Sequence, residues 1–157
     1  METSTRIKRS LNANELRVSR GYIETSDRFR SLLAARLVAD SGLSNGDYGV
    51  LLTLSEADGG HLRSSELADH MEWERSRLSH HLGRMESRGL VRRDPCATDS
   101  RGAEIVLTDE GASQFRRASA PHLRAIQDLF VKAFTPEQLA QVDDLIAALD
   151  AHLARSV

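Results

Sequence analysis

Residues 75 to 108 read RSRLSHHLGRMESRGLVRRDPCATDSRGAEIVLT, and this stretch decides the fold. Three apolar side chains recur in it at helical spacing: Leu78, Leu82 and Met85. They predict a helix over about 74 to 88, and Gly89 stands where a glycine commonly ends a helix. The opposite side of that helix carries short or polar residues with basic neighbours: Ser76, Ser79, His80, Gly83 and Ser87, flanked by Arg75, Arg77 and Arg84. One side therefore suits a protein core, and the other suits a polar partner.

Two short strands are predicted after the helix, over 90–93 and 103–107, with a polar loop between them that is too long for a tight turn. The loop places Asp99 two residues before Arg101. An arginine suits the negative potential of a narrow DNA minor groove, and a nearby carboxylate can hold it in one orientation before binding. The alternative is a surface ion pair worth under ~1 kcal/mol.

A shorter helix is predicted before this stretch, over 65–71, with Ser64 as its N-cap. Short helix, longer helix, strand, loop and strand is the order of a winged helix-turn-helix. The second helix of such a pair enters the major groove of double-stranded DNA, because a helix is about as wide as that groove. Serine, histidine and arginine side chains on its outer side can then reach bases or phosphates, and the backbone N–H groups at Ser64 and Ser65 can hold a phosphate.

Helices are predicted on both sides of this unit, so the expected fold class is mainly α with a small β-hairpin. The expected division of the chain is a flexible N-terminal arm (1–10), an N-terminal dimerisation helix (11–42), a winged helix-turn-helix DNA-binding domain (43–108) and C-terminal helices for dimerisation (109–157). Residues 61–63 could add an edge strand to the hairpin. Pro121 should kink or interrupt the helix that carries it.

The last predicted helix carries apolar residues at spacings of three and four, which form a narrow seam suited to packing against other helices. Together with Leu16 near the start of the chain, the residues of this seam are the expected dimer interface: Leu139, Val142, Ile146, Leu149 and Leu153. An exposed apolar seam would be costly, so a second copy of the chain is an expected partner.

Composition and charge narrow the class of protein. The 157 residues carry 21 basic and 23 acidic side chains, a net charge of −2, yet residues 75–101 hold seven arginines against three acids. Such a local basic patch favours a binding partner such as nucleic acid. The apolar runs are far shorter than the ~20 residues that span a bilayer, and a single cysteine makes the cytoplasm the expected compartment. Common catalytic motifs are absent from the sequence, so no enzyme activity, cofactor or metal is expected.

The order and spacing of five strings closely resemble the multiple antibiotic resistance regulator (MarR) family of bacterial transcription factors. The strings are Leu43-Ser44 with Tyr48-Gly49-Val50-Leu51, then Ser65-Glu66-Leu67-Ala68, then Arg75 to Leu82, then Arg84-Met85-Glu86 with Arg88-Gly89-Leu90-Val91, and finally Asp94-Pro95 to Arg101-Gly102 running into Leu107-Thr108-Asp109-Glu110-Gly111. The resemblance implies an obligate homodimer with interlocked terminal helices, which binds a pseudo-palindromic operator, commonly as a repressor. It implies that Arg101 faces the minor groove and that four residues face the major groove: Ser76, Arg77, Ser79 and His80. The wing departs from the family pattern at Ser100, where a flanking cation is missing, so a smaller phosphate contribution is expected.

The resemblance also implies a small-molecule effector, often an aromatic acid, in a crevice between the dimerisation helices and the winged domain. Four residues could line or flank this effector site: Phe29, Arg30, Tyr48 and Trp73. The alternative places Phe29 and Tyr48 in the core and makes Trp73 a staple that packs the entry of the second helix.

Other interpretations of the same fold stay open from the sequence. A regulator could respond to oxidation at Cys96, whose arginine neighbours favour a reactive thiolate. It could respond to a metal at Glu66 and His70, or at the adjacent His80 and His81, although surface histidines are the simpler interpretation. A winged-helix module could also bind protein, because the fold alone does not fix function.

Overall fold

The computed structural model describes residues 10–96 and 102–155. This part of the chain contains six α-helices and three strands: α1 (Ala13–Ser41), α2 (Asn45–Glu56), β1 (His61–Arg63), α3 (Ser64–Met71), α4 (Arg75–Ser87), β2 (Val91–Pro95), β3 (Ala103–Leu107), α5 (Asp109–Leu129) and α6 (Pro136–Leu153). None of these helices is both long and apolar enough to cross a membrane. The elements from α2 to β3 form a winged helix-turn-helix, so the predicted, mainly helical fold is confirmed.

The helix starts follow from local side-chain chemistry. The Asn12 side chain accepts a hydrogen bond from the backbone N–H of Glu15 (2.9 Å), and Glu15 accepts one from the backbone N–H of Asn12 (2.8 Å), which closes a capping box at α1. The start of α3 differs from the prediction, because the helix begins at Ser64 instead of after it. Glu66 accepts a hydrogen bond from the backbone N–H of Arg63 (3.1 Å), so Arg63 occupies the N-cap position.

The sheet has three antiparallel strands in the order β1-β3-β2, one strand more than the predicted hairpin. Leu62 of β1 lies opposite Ile105 of β3, and Arg92 of β2 lies opposite Val106. Ile105 is fully buried, so the middle strand anchors the sheet to the helices. The expectation of an edge strand over 61–63 is confirmed.

The helix α5 continues through Pro121, so of the predicted kink or interruption the interruption does not occur. Proline lacks a backbone N–H and cannot donate to the carbonyl of residue 117, which weakens a helix locally. Ala118 and Ala125, on either side of the proline, are buried, and α5 packs along α1. This tertiary packing outweighs the local cost of the proline.

The core lies among α2, α3, α4 and the sheet. Its largest fully buried side chains are mostly leucines: Leu37, Leu43, Val50, Leu51, Leu54, Leu67, Leu78, Leu82, Met85, Leu90, Val91 and Ile105. The apolar stripe predicted for α4 is therefore confirmed as part of the core. Since each fully buried side chain of this kind contributes roughly 1.5–3 kcal/mol, the stripe strongly favours one orientation of α4.

The terminal helices keep much apolar surface in contact with solvent. No residue of α6 is buried, and in its apolar seam Ile146 is 52% exposed and Leu153 is 53% exposed. On α1, Leu16 is 54% exposed. Both ends of the described chain thus carry apolar side chains that no described residue covers.

One buried carboxylate joins α1, α2 and α4. Asp47, in the first turn of α2, is only 4% exposed. Its Oδ2 accepts hydrogen bonds from the Arg88 guanidinium just after α4 (2.7 Å) and from the backbone N–H of Ser44 (3.0 Å). Arg88 also donates to the carbonyl of Gly42 at the end of α1 (3.2 Å). Nε2 of His81 lies 2.9 Å from Asp47 Oδ1, a close polar contact.

These contacts determine which groups of the cluster are charged. Burial alone would raise the pKa of the Asp47 carboxyl, but the hydrogen bond and charge of Arg88, with hydrogen bonds from Ser44, outweigh burial and hold the pKa below its usual value. Burial lowers the pKa of His81; the charge of Asp47 opposes this shift and the charge of Arg84 adds to it. The Arg84 guanidinium donates to Nδ1 of His81 (3.1 Å), so we assign the ring proton to Nε2, toward Asp47. At neutral pH the cluster therefore combines a charged Asp47 with a neutral His81.

Asp47→Asn should lower the free energy of unfolding by about 2 kcal/mol, because hydrogen bonds to charged groups contribute roughly 1.5–3 kcal/mol. Chemical denaturation at fixed protein concentration measures this change. Because folding lowers the pKa of Asp47, the stability that its charge contributes is present above the unfolded pKa of about 3.9 and is lost as the pH falls through the folded-state pKa. The stabilities of wild type and variant should therefore converge below about pH 4.

Asp40→Asn is the matched control, since Asp40 is an exposed acid on α1. Its unfolding free energy should stay within about 0.5 kcal/mol of wild type. A gap between wild type and Asp47→Asn that stays constant between about pH 6 and pH 3 would contradict the role given to the carboxylate.

Candidate nucleic-acid interface

The outer side of α4 is open to solvent. The six residues predicted to bind DNA from this helix are all exposed: Arg75, Ser76, Arg77, Ser79, His80 and Arg84. They extend over about 13 Å of helix axis and form one continuous polar face. The opposite side of the helix is held in the core by Leu78, Leu82 and Met85. The structure thus brings the predicted residues of α4 together on one surface, which we call the outer face.

Gly83 lies within the outer face. A Cβ at this position would meet no side chain or distant backbone atom of the described residues within 4 Å, so their packing does not require a glycine. A glycine inside a helix costs ~1 kcal/mol relative to alanine. Its missing side chain leaves the backbone of α4 open to close approach by a partner.

The strand β2 is tied to α4 through Arg93. The Arg93 guanidinium donates to the carbonyl of Ser79 (2.7 Å) and lies 3.5 Å from the Glu86 carboxylate, which also accepts from the backbone N–H of Arg93 (3.3 Å). Arg92, the neighbouring residue, pairs with Asp94 (3.1 Å). The charge count from the sequence included both arginines in the basic patch, whereas the structure gives them partners within the chain. Arg93 therefore fixes the wing against the outer face.

Two predicted wing-tip residues, Asp99 and Arg101, lie outside the described residues. At the described base of the wing, the backbone N–H of Cys96 donates to the carbonyl of Gly102 (3.2 Å). The Cys96 side chain is 8% exposed, so the thiol is buried at this base instead of standing in an open loop. Among the described residues, no group of three or more histidine, cysteine, aspartate or glutamate side chains could hold a metal ion.

Ser64 and Ser65 form the first turn of α3 and are half-buried. The N–H groups of a first turn have no partner within the helix, which is why the sequence indicated a phosphate site here. Glu66 lies in the same turn and already accepts from the backbone N–H of Arg63. Its carboxylate places a negative charge where a phosphate would bind.

His81 contradicts its interpretation as a surface histidine, because it is buried beside Asp47. It lies three residues after Leu78 and four before Met85, so it belongs to the apolar side of α4. That spacing was the signal that could have identified it. His80, the next residue toward the N-terminus, is exposed on the outer face.

Trp73 lies in the turn between α3 and α4 and is half-buried. Its ring meets the His81 ring edge-on, with 5.1 Å between centroids, and the Arg77 guanidinium carbon lies 4.3 Å from the indole centroid. The ring also lines an open cleft of about 620 Å³ together with Asp69 and Arg75. Trp73 therefore belongs to the surroundings of the outer face, and these contacts agree with its predicted role as a staple.

Tyr48, a predicted effector residue, lies where α2 meets α5. Its ring centroid is 5.2 Å from that of Phe115 and 4.5 Å from that of His122. Nδ1 of His122 is buried and has no hydrogen-bond partner among the described residues, and burial lowers the pKa of His122. The sequence did not identify His122, because its contact with Tyr48 joins residues 74 positions apart.

The other two predicted effector residues lie elsewhere. Phe29 packs on Phe130, with 5.5 Å between ring centroids. Arg30 forms an ion pair with Asp27 on the exposed surface of α1. Within the described chain, these four residues thus lie at separate places.

Several known proteins are similar to this chain. The MarR family model matches residues 41–102. AbsC, a MarR family transcriptional regulator from Streptomyces coelicolor, is 33% identical, and the match covers 93% of this chain and 98% of AbsC with a TM-score of 0.84. Sco3205, a MarR family transcriptional regulator from the same organism whose structure was solved in complex with DNA, is 36% identical, with 92% and 91% of the two chains covered and a TM-score of 0.85. MdtR, an HTH-type transcriptional repressor of Bacillus subtilis (strain 168), is 31% identical over 90 residues, which are 57% of each chain.

The matches to AbsC and Sco3205 combine more than 30% identity with nearly complete coverage of both partners. They include the helices on both sides of the winged unit as well as the unit itself. The chain therefore belongs to the MarR family of transcriptional regulators.

Proposed function

We propose that this chain is a sequence-specific regulator that binds double-stranded operator DNA as a homodimeric repressor and is released by a small-molecule effector. The observation that carries the DNA-binding part is the outer face of α4, which is polar, basic and exposed while the core holds the opposite side. The likeness to Sco3205, which was solved in complex with DNA, supports the same conclusion. The function is binding and not catalysis, and a protein on a bacterial operator acts in the cytoplasm.

The outer face suits the major groove, because short polar side chains let the helix approach base edges closely. Base contacts and nearby phosphate contacts are assigned to Ser76, Ser79 and His80 with Arg75, Arg77 and Arg84. Arg101, oriented by Asp99, is assigned to the minor groove. Ser64 and Ser65 are assigned to a phosphate, which would have to accommodate the nearby Glu66 carboxylate.

The exposed apolar seam of α6 supports the homodimer. Two copies that bury Ile146, Leu149 and Leu153 against each other, with Leu16 of α1 contributing, would remove this surface from water. Two winged units joined in this way can read two half-sites about 10 base pairs apart, and the second binding event becomes intramolecular. A dimer that occupies a promoter excludes other proteins from it, as expected of a repressor.

The contact between α2 and α5 supports an effector site between the winged unit and the helices assigned to dimerisation. Tyr48, Phe115 and His122 supply an aromatic surface there, and the unpartnered Nδ1 of His122 can bond a polar group of a ligand. A ligand that shifts α2 against α5 would change the distance between the two copies of α4. A misfit of a few ångströms to successive major grooves would release the DNA.

Selection of bound fragments from genomic DNA tests the proposed function. The enriched fragments should share a pseudo-palindrome, and affinity should fall by roughly three orders of magnitude between about 50 and 200 mM salt if about six phosphates are contacted. Fragments without a common sequence, or an affinity that is insensitive to salt, would favour a protein-binding module instead. On the selected operator, Ser79→Ala and His80→Ala should each weaken binding about tenfold, because a base contact contributes roughly 1–3 kcal/mol.

On random duplex DNA the same two variants should lose less than about twofold, because base contacts specify a sequence while phosphate contacts position the protein. Ser55→Ala, at an exposed serine of α2, is the control and should bind both DNAs like wild type. Equal losses on operator and random DNA would count against base contacts by Ser79 and His80.

Gly83→Ala should change stability and DNA binding in opposite directions. The unfolding free energy should rise by ~1 kcal/mol, since alanine favours the helix and its Cβ meets nothing. Operator affinity should fall several-fold, because the added methyl group keeps DNA away from the backbone of α4. Gly21→Ala is a matched control, as Gly21 also lies inside a helix with open space around it, and it should gain stability without losing affinity. Unchanged affinity in Gly83→Ala would remove Gly83 from the interface.

Ile146→Glu should break the dimer, because symmetry places two buried carboxylates in the seam at a cost of several kcal/mol. We expect the dimer dissociation constant to rise by about two orders of magnitude or more in sedimentation experiments. Ala151→Glu adds the same charge on the opposite side of α6 and should leave the dimer intact. An intact Ile146→Glu dimer would show that the seam is not the interface.

A further inference from the structure

The ring of Trp73 supports the guanidinium of Arg77. The guanidinium carbon lies 4.3 Å from the ring centroid, inside the ~6 Å over which an aromatic face attracts a cation. Arg77 lies in the first turn of α4 and is exposed. In helix-turn-helix proteins the N-terminal residues of this helix contact base edges. The stacked arginine therefore stands where base contacts are proposed.

The ring has further contacts that hold it in place. Trp73 meets His81 edge-on at an interplanar angle of 76°, and its backbone N–H donates to the carbonyl of Ala68 (3.0 Å). Gly46, at the start of α2, provides the space for both rings. A Cβ at Gly46 would lie 2.9 Å from Cη2 of Trp73 and 2.8 Å from Cε1 of His81. An indole confined in this way has little freedom to rotate, so it is a rigid support.

We propose that Trp73 is a positioning residue for DNA binding, which holds Arg77 in one orientation before DNA arrives; this role rests on the proposed function. An exposed arginine samples many rotamers, and immobilising it at an interface opposes binding. A guanidinium that is already ordered on a ring loses less freedom. Its planar fork can still donate to O6 and N7 of a guanine. The contribution of Trp73 should therefore appear on the operator and be small on random DNA.

The fluorescence of the protein without DNA tests the stack directly, because Trp73 is the only tryptophan in the sequence. Arg77→Ala should uncover one side of the ring, shift its emission to longer wavelength and increase quenching by acrylamide. Arg75→Ala is the matched control, since it removes a neighbouring arginine of the same turn and should leave emission and quenching unchanged. Wild-type quenching in Arg77→Ala would overturn the proposal, whether or not the protein binds DNA.

A double-mutant cycle tests the role in binding. Trp73→Leu should weaken operator binding about three- to fivefold, as expected for a cation–π contact at an exposed site, and should change random-duplex binding less than about twofold. In the Arg77→Ala background, Trp73→Leu should have no further effect. A merely structural role would give the same loss with Arg77 present or absent, and this result would overturn the proposal. Tighter binding by Trp73→Leu would also overturn it, because the ring would then withhold Arg77 from DNA.

Two further variants keep the test decisive if Trp73→Leu does not fold, which circular dichroism would reveal. Gly46→Ala takes its place in the cycle, since the added methyl group displaces the ring while Trp73 and Arg77 both remain. Trp73→Phe keeps an aromatic face and should retain most of the operator affinity. If the wild type binds operator and random DNA equally well, the proposed function and the positioning role are both refuted. If the wild type prefers the operator but the effects of the two substitutions simply add, only the positioning role is refuted.

Discussion

The ion pair between the buried Asp47 carboxylate and the partly exposed Arg88 guanidinium fixes α4 against α2, and thereby the direction of its outer face. An α-helix turns 100° per residue, so a slip of one position would carry the outer face toward the core. The apolar stripe of α4 already favours one orientation, and the hydrogen bonds of Asp47 add a directional requirement, because a hydrogen bond weakens steeply when its angle is distorted. Moving α4 would also separate the buried Asp47 carboxylate from its partner, and an unpaired buried charge destabilises the fold by roughly 3–5 kcal/mol. Arg88 also binds the carbonyl of Gly42, so α1 is held in the same arrangement as α2 and α4.

The arginines of the winged unit fall into two groups with different structural roles. Arg88 and Arg93 bond carboxylate or carbonyl groups and hold α2 and β2 against α4, whereas Arg92 pairs with Asp94 within β2. The arginines of the outer face of α4 are exposed to solvent. A count of charges along the sequence therefore overstates the extent of the basic surface. Among the described residues of the winged unit, the arginines proposed to meet an anionic partner lie along about 13 Å of α4, a length that fits within a groove.

The features that could be predicted from the sequence are those with a local signal. The capping box at Asn12, the apolar stripe of α4 and the exposure of its opposite side all follow from spacings of three and four residues. Contacts between distant residues carry no such signal, and so the Asp47–Arg88 pair, which joins positions 41 residues apart, was not foreseen. Pro121 does not interrupt α5, because packing against α1 outweighs the local backbone preference. His81 was placed on the surface by residue type, although its spacing pointed to the core; the tip of the wing lies outside the described residues.

Some glycines inside the helices are required by packing within the chain, and others are not. A Cβ at Gly111 would collide with the carbonyl oxygen of Leu90, so α5 can approach the sheet only through a glycine. Gly46 is crowded in a similar way by two aromatic rings. Gly83 has open space around it, and there the glycine weakens α4 by ~1 kcal/mol with no gain in packing. No contact within the described chain offsets this loss of helix stability, as expected if the glycine serves a contact with another molecule. Gly21 of α1 has equally open surroundings, so open space alone does not identify a contact. Gly83 differs because it lies on the outer face of α4, where the missing side chain gives a partner close access to the helix backbone.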